Sequence, residues 1–125
     1  IYVNTPAVGK NLRLGIYQNG TNLYPGALLL DAGLASVNGA GTITITISQA
    51  LTRGLYWVVM LGDGTPGIIG ASTFMNILGR ADYPNNNKAM WEVALTYAAL
   101  PDPFTAGGAV GDNCVGPALA FSSLD

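Results

Sequence analysis

TITITISQALTRGLYWVVML, residues 42–61, reads as two strands and the turn that joins them. Ile43, Ile45 and Ile47 alternate with Thr42, Thr44, Thr46 and Ser48. A period of two puts one set on a buried face and the other in water. Leu55–Leu61 is apolar on both faces: Tyr56, Val58 and Met60 point one way, and Leu55, Trp57, Val59 and Leu61 the other. That pattern predicts a central strand covered on both sides. Arg53-Gly54 marks the turn between the two strands.

Working outward, Ile1–Asn4 reads as a first strand and Leu12–Gln18 as a second, with Leu12, Leu14 and Ile16 on one face. Asn19-Gly20 is a strong hairpin signal, because both residue types tolerate positive φ; Thr21–Tyr24 is then the returning strand. Pro25-Gly26 suits a type II turn. Ala27–Asp31 is a short apolar run closed by Ala32-Gly33. Leu34–Val37 and Thr42–Ser48 flank Asn38-Gly39-Ala40-Gly41 and are expected to pair as a hairpin. Gly62–Gly67 (GDGTPG) is a loop, Ile68–Leu78 fits a strand or a helical turn, and Gly79–Lys88 (GRADYPNNNK) is a polar loop. Ala89–Ala98 is expected to be a strand, Leu100–Gly116 a long loop, and Pro117–Ser123 the last strand. No amphipathic helix of ten residues is visible. Turn residues recur at the spacing of an all-β sandwich or barrel. The reading is therefore one antiparallel β-sandwich domain over residues 1–125, and the start at Ile1 rather than Met points to a fragment or processed form of a longer chain.

Composition narrows the function. Half of the 125 residues are hydrophobic and 10% are charged, against about a quarter in an ordinary domain. A surface so poor in charge is expected to be covered in part by another chain. The net charge of -2 and the scattered Lys10, Arg13, Arg53, Arg80 and Lys88 give no basic face for nucleic acid. No apolar run approaches the roughly 20 residues of a membrane-spanning helix. With no histidine, neither a Ser-His-Asp nor a Cys-His nucleophile system can be built within this chain. One cysteine, Cys114, allows no internal disulfide, and no zinc site follows from Cys and His.

Carboxylates remain. Asp31, Asp63, Asp82, Glu92, Asp102 and Asp112 could in principle supply a glycosidase pair. Most of them sit beside Gly, Pro or Ala, where Asp is favoured for bonding to backbone. The loops around Asp63 and Asp112 lack the regular spacing of a calcium site. No catalytic residue, cofactor or metal is assigned. The one ligand constellation is on the polar loop: Tyr83 as an aromatic platform, Asn85, Asn86 and Asn87 as amide partners, and Asp82 and Arg80 beside them, a candidate glycan site. Trp57 and Trp91 lie within strand patterns and read as core.

Three phrases add a resemblance: RLGIY at 13–17, YPGALLLDAG at 24–33 and LTRGLYWVVM at 51–60, closing on PALAF at 117–121. Together they resemble a β-sandwich domain of structural proteins in tailed bacteriophages, of the tail-fibre or head-fibre type. The likeness covers about three-quarters of the chain and leaves out residues 68–88. It implies a jelly-roll-like, non-enzymatic virion component, often trimeric, that assembles with other virion proteins and in some cases contacts host glycans. A capsid decoration protein and a stand-alone carbohydrate-binding module are the readings beside it, with a carboxylate glycosidase last.

Overall fold

A computed structural model describes residues 1–69, 90–110 and 117–121. Among them the chain is all-β and antiparallel, with no α-helix. Its strands are β1 (Tyr2–Thr5), β2 (Asn11–Asn19), β3 (Pro25–Ser36), β4 (Gly41–Thr42), β5 (Tyr56–Gly62), β6 (Gly67–Ile69), β7 (Trp91–Glu92) and β8 (Ala109–Val110). They form sheets in the orders β4-β1-β6, β3-β2-β5 and β7-β8.

Strand β2 is the centre of the molecule. Its Leu12, Leu14 and Ile16 lie on one face and Tyr17 on the other, and all four are buried. On the first face Leu12 and Leu14 join Val3 of β1, Ala35 of β3 and Val37 in one core, with Met60 and Ile68 against it. The sheets of β1 and β2 therefore share that core. On the opposite face Tyr17 packs with Trp57 and Leu100, and with Val59, Trp91 and Phe104 around them. This two-sided covering explains why β2 and β5 are apolar on both faces. Strand β5, expected to be central, instead lies at the edge of its described sheet; β2 takes the middle.

Gly15 lets the second core close. A Cβ there would lie 2.3 Å from Leu100 Cδ1 and 2.8 Å from the Leu30 carbonyl oxygen. A glycine inside a strand commonly marks such a close approach.

Several expected elements differ. Ala27–Asp31 and Leu34–Val37 belong to one strand, β3, and Pro25-Gly26 begins it instead of forming a type II turn. Gly33 does not end the strand. It takes φ +89 and makes a bulge: Leu14 lies opposite Gly33 and Gly15 opposite Asp31, so Ala32 is the extra residue. The β2–β3 hairpin exists, but not through a two-residue Asn19-Gly20 turn. A 3-10 turn over Thr21–Leu23 replaces the expected return strand, with positive φ at Asn22 and Leu23. The connection runs from Gly20 to Tyr24, whose carbonyl accepts the Gly20 N–H at 2.7 Å while its ring lies 4.9 Å from Trp91 and its hydroxyl donates to the Thr105 carbonyl.

The expected Leu34–Val37/Thr42–Ser48 hairpin is not formed. Val37 instead exchanges backbone hydrogen bonds with Ala7 and Lys10, and Thr42 lies opposite Tyr2 of β1. Beyond Ile43 the predicted strand keeps its alternation without a ladder: Ile43, Ile45 and Ile47 are half-buried, and Thr44, Thr46 and Ser48 are exposed. Residues 91–98 do the same, since only Trp91 and Glu92 pair, with Val110 and Ala109. Residues 117–120 alternate likewise outside any described sheet.

Candidate functional site

The loop constellation Arg80, Asp82, Tyr83, Asn85, Asn86 and Asn87 lies outside the described residues, as do Asp112 and Cys114. The described aspartates are engaged in structure. Asp63 accepts the Asn11 N–H at 2.6 Å, and Asp102 accepts the Leu28 N–H at 2.9 Å. Asp31 is not in a turn, as its neighbours implied, but at the β3 bulge. It accepts the Gly33 N–H at 2.9 Å and pairs with Arg13 at 2.7 Å. Burial by itself raises the Asp31 carboxyl, but the Gly33 N–H, the Arg13 guanidinium and a Leu100 backbone contact outweigh it and hold the group below the ordinary aspartate value. Glu92 is exposed on β7. Among the described residues no three acidic, Cys or His side chains gather where they could hold a metal.

Two features stand out. The first is a cleft of about 980 Å³ between β5 and the segment 90–95, walled by Trp57, Val59, Leu61, Trp91 and Phe104. Among the described lining residues Glu92 carries the one charged side chain. The polar ends of the neighbouring aromatic rings are already committed. Trp57 Nε1 donates to Asn19 Oδ1 at 3.0 Å, Trp91 Nε1 to the Leu23 carbonyl at 2.7 Å, and the Tyr17 hydroxyl to the Pro101 carbonyl at 2.5 Å. Burial first, and then the charges of Asp102 and Asp31, push the Tyr17 phenol up to about 12. The cleft therefore offers apolar surface rather than acid–base groups. A sugar's hydroxyls would find few unengaged side-chain donors on these rings.

The second feature is the edge made by residues 43–49. Ile43 donates its N–H to the Ile1 carbonyl at 2.9 Å, and its carbonyl accepts from the Ile1 amino group at 3.1 Å. In an antiparallel strand both backbone groups of one residue point to the same side, and those of the next point away. Ile43 thus addresses Ile1, Ile45 and Ile47 turn their backbone groups to that same side, and Thr44, Thr46 and Ser48 present N–H and C=O to the opposite side. Among the described residues, none of these three donates to or accepts from another backbone group. Ile43 and Ile45 meanwhile pack on the core of Val3 and Leu14. Among the described residues the segment is held by one face and open along its outward rim.

Sequence reasoning located this segment from its alternation. It missed the cleft, because Leu100, Phe104 and Trp91 are brought to β5 by tertiary packing that no local pattern reports. Comparison with protein-family models, curated proteins and solved structures returned no match.

Proposed function

We propose that this chain is a non-enzymatic assembly domain that joins other protein chains through an open strand edge. The observation behind the reading is residues 43–49: a strand in its side-chain alternation, docked on the core, and unladdered along its rim among the described residues. Unpaired strand edges are templates for pairing and are usually blunted by charge, proline or a covering loop. Residues 40–52 contain no charged residue and no proline. The scarcity of charge over the whole chain fits a surface that another chain covers.

Within this proposal the resemblance supplies the setting. The domain is a structural component of a tailed-phage virion, in a fibre or on the capsid surface, its sheets forming the layers of a jelly-roll-like sandwich. Light scattering on the purified chain tests the assembly step. A mass above the 12.9 kDa of one chain, rising with concentration, is expected. A mass of one chain throughout the micromolar to millimolar range overturns it. Mass spectrometry of purified particles tests the setting.

A further inference from the structure

The geometry points to a specific partner for the open edge: the same segment of a second copy, paired antiparallel about a two-fold axis through Ile45. The inference rests on the assembly reading above and assigns its contact. Thr42–Ser48 reads almost the same in both directions. With Ile45 opposite Ile45, residue 43 faces 47, 44 faces 46 and 42 faces 48. Every isoleucine then lies beside an isoleucine, and every hydroxyl beside a hydroxyl. Such cross-strand pairs of β-branched residues are the stabilising unit of a sheet.

The backbone agrees with this register. Ile43 spends both its groups on Ile1, so the outward groups belong to the even-numbered residues. The dyad opposes even residues to even residues, which makes 44/46 and 42/48 the hydrogen-bonded pairs and 45/45 a non-hydrogen-bonded pair. About eight backbone bonds result. A register centred between residues would oppose outward groups to inward ones and mix threonine with isoleucine.

The second copy is favoured over a foreign strand on two grounds. The segment carries no charge to select a different partner, and a net charge of -2 opposes self-association little. The contact also continues an existing layer: β4 is the end strand of its sheet among the described residues, so two copies merge their sheets into one with a continuous isoleucine face. Because the operation is two-fold, it closes on itself and yields dimers, in place of the trimer that the resemblance implies. A seven-residue edge buries less than the roughly 1,000 Å² of a stable interface, so the dimer is expected to be weak and concentration-dependent.

The test uses the full chain. Thr46→Pro removes an outward donor that no described backbone group uses, so it should leave the circular dichroism spectrum unchanged and raise the dimer dissociation constant at least about tenfold, a loss of about 1.4 kcal/mol. Independently, in a Cys114→Ser background, Ile45→Cys should form an intermolecular disulfide on mild oxidation. Cβ atoms of a non-hydrogen-bonded pair lie close enough for it. Thr44→Cys, which faces residue 46 of the other copy, should not. Dimers that Thr46→Pro dissociates and Ile45→Cys locks establish the pairing. Self-association that neither variant touches, or a strict trimer, overturns this contact and leaves the assembly reading standing. A single-chain mass at every concentration overturns both.

Discussion

Tyr17→Phe isolates the bond that ties the 100–105 segment to β2. The Tyr17 ring is fully buried, and its hydroxyl reaches the Pro101 carbonyl at 2.5 Å. Phenylalanine keeps the ring, its edge-on contact with Phe104 at 5.3 Å between centroids, and nearly all the buried apolar area. What is lost is one hydrogen bond, with a half-buried carbonyl left unpaired, together about 1–2 kcal/mol. For a chain of this length that lowers the melting temperature by about 3–8 °C. Truncation to alanine would remove the ring as well and is expected to destabilise by about 3–5 kcal/mol. Urea unfolding followed by tryptophan fluorescence reads the difference, and the m-value should not change. The pH dependence gives a second readout. The folded phenol titrates at about 12, above its ordinary 10, so the fold favours the neutral form. The corresponding stability is intact below pH 10 and is lost as pH rises from 10 through 12. Tyr17→Phe lacks this step, so its deficit should shrink across that window and reverse above it. A deficit under about 0.3 kcal/mol at neutral pH, with a flat difference up to pH 12, would refute the placement of this hydroxyl.

Two further changes probe the same architecture. Gly15→Ala puts a methyl against Leu100 and the Leu30 carbonyl; the side chain can yield but the backbone oxygen cannot, so a loss of about 1–3 kcal/mol is expected in the same urea assay. Asp31→Asn removes a carboxylate whose folded pKa lies below its ordinary value. The wild-type contribution is present above about pH 4 and lost as pH falls through the folded value, so the variant should flatten the acid limb of a stability–pH profile. The Arg13–Asp31 pair is about a quarter exposed, and the step is expected to be small.

What was legible in the sequence was the orientation of side chains. The alternation at 43–48 and 91–98 describes their exposure residue by residue, and β2 falls within one residue of its expected bounds. What was not legible was who stands beside whom. Period two reports faces, and the partner of β4 is decided by distant β1. Local turn chemistry misled at Gly33 and at Asn19-Gly20 for the same reason. Gly33 looked like a strand end, but long-range pairing with β2 carries the strand through it as a bulge. Asn19-Gly20 looked like a tight turn, but seating Tyr24 against Trp91 and Phe104 outweighs the local preference. The candidate edge was visible as a Thr/Ile repeat, and its open rim became evident only with the Ile43–Ile1 bonds.

One strand supplies residues to both apolar clusters: Leu12 and Leu14 to the first, Tyr17 to the second. Neither half can therefore melt while the other stays whole, because losing β2 empties both. Heating should give a single transition seen alike by tryptophan fluorescence and backbone circular dichroism, and damage on either side of that strand should be felt on the far side.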